Sequence, residues 1–194
     1  MSGLREAKKD RTKTQLLEAA LALISRHGFE QTTINQIADE VQVSPRTLLR
    51  YFPTKEDVIV SWVEDGMGVF RDALVKREAM APPFDTLLAS ARAMLASYQA
   101  RAHFFLAIER VIATSPSVAA RKQQMMEALA QDVVTILRGR PGRDAPDALS
   151  CDVLTGTVFA MIRATIHAWV AAEGRQALLD IFEDASSVVR PARV

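Results

Sequence analysis

The sequence predicts an all-α protein with a three-helix domain over residues 1–53 and a larger helical domain over residues 54–194. Apolar residues recur at helical spacing in one segment after another, and no segment shows the alternating pattern of a convincing strand. Signals that begin or end helices, such as Ser44-Pro45 and Gly28, separate these segments. Together these observations favour helices that pack on helices.

Residues 33–55 are predicted to hold two short helices and the start of a third. In the first, positions i, i+3, i+4 and i+7 form one apolar face, made of Ile34, Ile37, Ala38 and Val41. Thr33 and Gln36 have the spacing of a capping box, and Ser44 places a capping hydroxyl before Pro45 at the first helical position. The few residues between the helices can only turn a corner, which predicts a helix-turn-helix.

The second short helix has a polar face that suits the major groove of DNA. If Leu48 and Phe52 face inward, then Arg46, Thr47 and Arg50 lie on the opposite side. Arginine can pair bidentately with guanine, and threonine offers a hydroxyl and a methyl group. We therefore expect this face to read bases, with Arg46 as the best candidate because it lies beside the helix N-terminus.

Phosphate contacts are expected around the same face. Tyr51, Lys55, Thr33 and the backbone amides of Ser44 and Thr33 are placed to hold phosphates, which fix register without reading sequence. Pro45 completes the predicted DNA-binding set. The alternative is an ordinary polar helix face on a bundle, which three closely spaced helix starts disfavour.

Residues 12–63 closely resemble the amino-terminal DNA-binding domain of TetR-family transcriptional regulators. The matching positions are Thr33-Ile34, Ile37-Ala38, Val43-Ser44, Thr47 and Tyr51-Phe52-Pro53-Thr54-Lys55-Glu56. Three positions depart from the family pattern. Gln42 occupies the turn position that is usually glycine and must accept a positive φ at a cost of about 1 kcal/mol. Leu49 replaces the usual aromatic residue, and Arg46 replaces a usual glycine.

Charge is distributed unevenly, although the net charge is only +1. Residues 1–55 carry nine basic and six acidic residues, a net of +3, whereas the other 139 residues carry 15 and 17, a net of −2. This asymmetry puts the positive end on the predicted DNA-binding domain. The basic run over residues 5–13 is expected to be either a disordered arm that reaches phosphates or a solubilising tail.

The composition is that expected of a cytoplasmic protein. The longest apolar-rich segment, residues 153–172, is interrupted by Arg163 and His167, so no membrane span is expected. Cys151 is the single cysteine, which excludes an intrachain disulfide. A small buried thiol is expected there, and an interchain bridge is the alternative.

The last two predicted helices differ from the others. From about residue 146 to 172, apolar residues occupy nearly the whole circumference, and a helix of this kind needs cover on both sides. After Gly174 the final helix has an apolar stripe that includes Ile181 and Phe182. The resemblance implies a homodimer interface formed by these two helices, and ordinary burial within one chain is the alternative. Twofold symmetry also matches a palindromic operator.

No motif for catalysis, a cofactor or a metal site stands out, because phosphate loops, nucleophile elbows and paired histidines are missing from the sequence. We therefore expect a protein that is not an enzyme. Aromatic residues and methionines of the second domain are interpreted first as core and second as the lining of a ligand pocket: Trp62, Phe70, Phe104, Phe105, Met125, Met126 and Phe159. Arg163 and His167, one turn apart, either face this pocket and meet a polar or anionic end of the ligand, or belong to the core or an interface.

The resemblance further implies a repressor that a small, largely apolar effector releases from DNA. An activator or an effector-independent regulator is the alternative within the same class. From another class, a helical module that binds protein would not require a cationic recognition face.

Overall fold

The computed structural model describes residues 2–76, 81–139 and 146–189. Within these ranges the chain forms α-helices and no strand, which confirms the all-α fold class. The helices are α1 (Ser2–His27), α2 (Ile34–Glu40), α3 (Pro45–Tyr51), α4 (Lys55–Lys76), α5 (Pro83–Gln99), α6 (Ala102–Thr114), α7 (Pro116–Arg138), α8 (Ala148–Ala171) and α9 (Leu178–Val189).

Helix α1 is longer than the sequence predicted. It begins at Ser2 and includes the whole basic run over residues 5–13, so the expectation of a disordered arm is wrong. The helix ends where predicted, at Gly28, whose φ is 82° and whose amide donates to the carbonyl of Ile24 at 2.8 Å. Phe29 follows and is buried. A glycine cap with an apolar residue behind it is a common way to end a helix.

The described residues form two compact units. The first contains the chain up to Trp62 together with Ala107–Lys122, and the second contains Val63–Leu106 and the chain from Gln123 onward. The first unit is therefore larger than the domain predicted over residues 1–53. It includes the start of α4, the end of α6 and the start of α7, because side chains of these segments pack or pair with one another, as Asp57 does with Arg121.

The core of the first unit is apolar, and two ion pairs lie beside it. Fully buried side chains come from α1 to α4: Leu16, Ala20, Ile37, Ala38, Leu48, Val58 and Ile59. The Nε of Arg121 donates to Asp57 at 2.7 Å. The ammonium of Lys122 contacts both carboxylate oxygens of Glu109, at 2.7 and 2.8 Å. Because Asp57 and Glu109 are both buried, each carboxylate needs such a partner.

In the second unit, α8 packs on α5 and α9, and α5 also packs on α9. An aromatic stack joins three of its helices. The ring of Phe105 lies 4.1 Å from that of Tyr98 and 5.6 Å from that of Trp169. The indole of Trp169 donates to the carbonyl of Gln176 at 3.1 Å, so this large buried ring is both packed and hydrogen-bonded.

Helix α8 begins at the cap residue Asp147, whose carboxylate accepts from the amide of Ser150 at 2.7 Å. This hydrogen bond lowers the pKa of Asp147. Cys151, in the first turn, is buried as expected, and burial raises the pKa of its thiol. By length and composition α8 is the one described helix that could cross a membrane, a test that the core helix of a globular domain also passes.

Candidate nucleic-acid interface

The entry to α2 is fixed by a reciprocal pair of hydrogen bonds. The amide of Gln36 donates to the Thr33 hydroxyl at 3.2 Å, and the amide of Thr33 donates to the Gln36 side chain at 2.8 Å. The predicted capping box is therefore confirmed. It also has a consequence for DNA binding. The Thr33 amide already has a partner, so the expectation that it is an orphan donor free for phosphate is wrong.

The turn between α2 and α3 contains the predicted strained residue. Gln42 has a φ of 56°, the left-handed conformation that a glycine usually supplies at this position. The amide of the next residue, Val43, donates to the carbonyl of Ala38 at 3.0 Å. The turn thus keeps the helix-turn-helix geometry without glycine, at the cost of a strained side-chain-bearing residue.

Helix α3 is capped as the sequence predicted. The amide of Thr47 donates to the hydroxyl of Ser44 at 3.1 Å, and the two hydroxyls lie 2.8 Å apart. Pro45 occupies the first helical position, where it removes no intrahelical hydrogen bond. The Ser44 oxygen accepts the capping bond, and the predicted phosphate contact of its backbone amide stays a prediction.

The outer face of α3 exposes Arg46, Leu49 and Arg50, whereas Leu48 and Phe52 are buried. Thr47 is half-buried at the edge of this face. Leu49 was not among the predicted contacts, yet 45% of its surface is exposed on the same side of α3 as the two arginines. The spacing i, i+3, i+4 from Arg46 to Leu49 and Arg50 could have identified it. An exposed aliphatic side chain here suits the methyl group of thymine.

Two residues at the end of α3 and the start of α4 have partners that the sequence did not predict. The guanidinium of Arg50 lies over the ring of half-buried Tyr51, 5.4 Å from its centre. The ammonium of Lys55 donates to the carbonyl of Phe29 at 2.7 Å and lies 4.1 Å from the centre of the Phe29 ring. Lys55 therefore helps to hold the end of α1. Since an ammonium has three protons, it keeps further donors for a phosphate.

The N-terminus of α4, which follows α3 after a short connection, is held by Thr54, Asp57 and Arg121. The amide and hydroxyl of Thr54 donate to one oxygen of Asp57, at 3.0 and 2.8 Å, and the Asp57 amide donates back to the Thr54 hydroxyl at 3.1 Å. These bonds cap α4, the third helix whose start the sequence predicted in this segment. Arg121 donates to the other oxygen of Asp57. One buried carboxylate thus caps α4 and binds α7.

The helix-turn-helix exposes one face of α3 and is held by capping bonds on both sides of the turn. Capping bonds fix both ends of the turn, and the exposed side of α3 carries two guanidinium groups and one aliphatic side chain. An α-helix with such a face fits the major groove, where guanidinium groups bind guanine edges or phosphates. Fold and site therefore define a helix-turn-helix DNA-binding protein.

Comparison with known proteins identifies the family. The model for "Bacterial regulatory proteins, tetR family" matches residues 16–61. Transcriptional regulator TcmR of Streptomyces glaucescens is 29% identical over 97% of this chain and 87% of its own length. Transcriptional repressor NicS of Pseudomonas putida is 30% identical over 71% of this chain and 65% of its own length. Residues 16–61 therefore carry the DNA-binding domain of the TetR family, and the chain is a DNA-binding transcriptional regulator.

Solved structures agree with the fold. The regulator FadR of Bacillus subtilis, solved in complex with stearoyl-CoA, superposes with a TM-score of 0.65 at 16% identity, over 93% of this chain and 99% of that chain. At this identity the match shows a common fold only. TetR-family regulators bind DNA, are homodimers and bind small ligands.

The residues predicted to bind a ligand are only partly brought together. Phe70 and Phe105 are buried, and Phe104, Met125, Met126 and Phe159 are half-buried, all in the second unit. The rings of Phe70 and Phe159 lie 5.7 Å apart, whereas Phe104 lies beneath the guanidinium of Arg101, 4.4 Å away. Trp62 is half-buried and belongs to the first unit. Their role in ligand binding stays a prediction.

Arg163 and His167 require a correction. Both side chains are exposed, on the side of α8 opposite its buried stripe. The alternative in which this pair faces an internal pocket is therefore wrong, and a role at an interface stays a prediction. The apolar residues that neighbour this pair in the sequence suggested burial. However, the outer side of α8 is also rich in apolar and small residues, including the exposed Leu149 and Val153.

Proposed function

We propose that this protein is a homodimeric repressor that binds a palindromic operator and is released by a small, largely apolar effector. The observation that carries the DNA-binding part is the capped α3, which exposes Arg46, Leu49 and Arg50. The repressor role is supported by relatives that are named transcriptional repressors. Activation, or regulation without an effector, is the alternative.

The dimer interface is assigned to the outer faces of α8 and α9. Leu149, Val153 and Val188 are 72%, 56% and 80% exposed, more than large apolar side chains usually are in a protein that stays monomeric. Gly156 has open space where a Cβ would lie, which allows a partner helix to approach closely. A four-helix isologous contact would cover this surface and place two recognition helices about a twofold axis.

The effector is assigned to the interior of the second unit. The fold is that of FadR, which was solved with stearoyl-CoA, and the apolar acyl chain of such a ligand suits a helical core rich in aromatic residues. Helix α4 begins in the first unit and continues into the second, so a ligand that shifts α4 would move the DNA-binding helices. Two half-sites that no longer match successive major grooves would release the operator.

The protein is expected to act in the bacterial cytoplasm, where the operator is, and to work by binding rather than by catalysis. Its named relatives are regulators. A protein-binding helical module is the remaining alternative from another class, and an arginine-bearing face beside a capped turn does not favour it.

The deciding experiment is fluorescence anisotropy with duplex DNA from the gene's own upstream region, over a series of salt concentrations. A specific regulator should bind this duplex at least 1,000-fold more tightly than a shuffled duplex, by about 4 kcal/mol or more. Arg46→Ala should reduce this difference by about 1–3 kcal/mol. Arg26→Ala is the matched control, since Arg26 is an exposed arginine of the same unit that bonds only to the carbonyl of Ala22. Equal binding of both duplexes would refute sequence-specific regulation.

A further inference from the structure

Helix α8 buries two threonine hydroxyls that have no hydrogen-bond partner among the described residues. Thr155 and Thr165 are 2% and 0% exposed, and the side-chain oxygen of each is fully buried and unpaired. Both lie on the buried stripe of α8, together with Cys151, Val158, Ile162, Ile166 and Trp169. A buried hydroxyl without a partner is destabilising, so its presence requires an explanation.

Other helical threonines of this chain avoid the problem by a local bond. Thr157, on the same helix, donates to the carbonyl of Val153 at 2.7 Å. Thr114 and Thr135 likewise donate to the carbonyls four residues earlier, at 3.0 and 2.9 Å. A threonine inside a helix can usually reach that carbonyl by choice of rotamer. Thr155 and Thr165 make no such bond, although their hydroxyl oxygens are buried within the second unit.

The polarity of this interior is unusual in one respect. The buried polar residues of the second unit, within the described ranges, all carry hydroxyls: Thr86, Ser90, Thr155 and Thr165. Among the described residues of that unit, no Lys, Arg, Asp, Glu or His is buried. A charged group brought into such an interior would lose its hydration without gaining a counter-charge. A molecule bound on this side of α8 should therefore be neutral and have hydrogen-bonding oxygens.

The distance between the two hydroxyls along α8 sets the length of a molecule that could bond both. Ten residues of α-helix separate Thr155 from Thr165 by about 15 Å along the axis. Apolar side chains lie between them on the stripe, and buried methionines at Met94 and Met161 can change shape around a guest. One molecule that bonds both hydroxyls would be elongated, apolar in its middle and polar near each end.

From these observations we propose that Thr155 and Thr165 are the polar anchors of the effector site and that the site selects a neutral, elongated, largely apolar molecule with oxygen groups near both ends. This inference rests on the proposed function, because it assigns ligand binding to the second unit. It replaces a charged anchor at Arg163 and His167 by two neutral ones.

The test uses three probes of one chain length and the full-length protein. Dodecanediol has a hydroxyl at each end, dodecanol has one, and dodecanoate has a carboxylate. Calorimetric titration should rank dodecanediol first. Thr155→Val and Thr165→Val, which keep the side-chain shape, should each weaken dodecanediol binding by about threefold to tenfold, the value of one hydrogen bond. Thr157→Val is the control and should leave binding unchanged.

Thermal unfolding distinguishes a ligand-binding site from hydroxyls that are merely unsatisfied in the core. Each buried Thr→Val change should leave the thermal unfolding temperature equal or higher, because it removes an unpaired hydroxyl. Thr155→Ser and Thr165→Ser should retain binding, since they keep the hydroxyl. If the Val variants are stabilised while dodecanediol binds them as it binds the wild type, the hydroxyls are only unsatisfied core groups. Tightest binding of dodecanoate, or no binding of any probe, would also overturn the proposal.

Operator binding distinguishes this inference from the proposed function. If dodecanediol binds as expected but leaves operator affinity unchanged, the site stands and release by an effector at this site fails. If dodecanediol releases operator DNA equally from the wild type and both Val variants, release by an effector is supported, but the role of Thr155 and Thr165 as anchors is refuted.

Discussion

The side chain of Tyr98 fills the space beside α4 in which any residue other than glycine would place its Cβ at position 66. A Cβ built on Gly66 would overlap the ring and hydroxyl of Tyr98. The Tyr98 hydroxyl donates to the carbonyl of Val63 at 3.4 Å, and its ring stacks on Phe105. Helices α4 and α5 are therefore close together here because residue 66 has no side chain.

We expect Gly66→Ala to destabilise the protein and Gly68→Ala to stabilise it. Overpacking against the Tyr98 ring costs about 1–3 kcal/mol, which offsets or exceeds the gain of about 1 kcal/mol in helix propensity. A Cβ on Gly68 has nothing within 4 Å, so this helical neighbour gains propensity alone. Urea unfolding of both variants checks the prediction. Equal stabilisation by the two changes would mean that the Tyr98 side chain moves away from residue 66 at no cost in stability.

Sequence predicted the elements whose causes are local. The capping box at Thr33, the Ser44 cap, the Gly28 stop and the positive φ at Gln42 each depend on a few neighbouring residues, and all are present. For the same reason the helical fold class was predictable along the described chain. The aromatic and apolar spacing that produced the core of each unit also follows from helical periodicity.

What the sequence did not predict depends on contacts between distant residues. Lys55 binds a carbonyl 26 positions earlier, and Arg121 binds a carboxylate 64 positions earlier. Phe182, Val188 and Val189 belong to the same apolar stripe of α9. Phe182 is fully buried, whereas the two valines are exposed. Periodicity identifies an apolar stripe but not which part of it a neighbouring helix covers. For this reason the sequence alone did not show that Arg163 and His167 are exposed on α8 of the single subunit.

Arg46 and Lys55 should differ in how their loss affects DNA binding. Arg46→Ala should cost about 1–3 kcal/mol and relax base preference at one position in each half-site. Lys55→Ala should weaken all sequences alike and flatten the salt dependence. It should also lower stability by about 1 kcal/mol, because the bond to Phe29 is lost.

Anisotropy with single-base variants of the operator, over a salt series, measures these differences. Lys55→Met keeps the aliphatic stem over the Phe29 ring and should lose DNA affinity to the same extent with less loss of stability. Identical, sequence-independent losses from Arg46→Ala and Lys55→Ala would remove the assignment of Arg46 to base reading.

Val153→Asp should dissociate the proposed dimer without unfolding the chain. The change puts two like charges near a twofold axis on a surface that is exposed in the single subunit. Charged substitution of Phe182 would be a poor test, because this side chain is fully buried within its own subunit and a charge there would unfold the unit.

Val75→Asp is the matched control for Val153→Asp, since Val75 on α4 is 63% exposed and lies outside the α8–α9 surface. Sedimentation velocity should show a helical monomer for Val153→Asp and a dimer for Val75→Asp, and only the monomer should lose tight operator binding. A wild type that is already monomeric at micromolar concentration would rule out the interface.

The pair Arg121–Asp57 should matter more than an exposed ion pair of the same length. Asp57 has a side chain only 11% exposed, it caps α4, and Arg121 is its cationic partner at 2.7 Å. We expect Arg121→Met to cost about 1–3 kcal/mol, since it leaves a buried carboxylate with less compensation. Because the capped end of α4 follows α3 directly, operator affinity should fall as well.

Arg71→Met is the control for this pair. Arg71 binds Asp132 at 2.8 Å, but both side chains are about half exposed, at 44% and 55%, so the loss should be about 0–1 kcal/mol. Urea unfolding of each variant, with operator affinity measured well below the unfolding temperature, compares the two pairs. A double-mutant cycle of Arg121→Met with Asp57→Asn should give a coupling energy of about 1 kcal/mol or more. If the two arginine variants lose the same small amount, the Asp57 carboxylate does not depend on Arg121, and α7 does not help to position the start of α4.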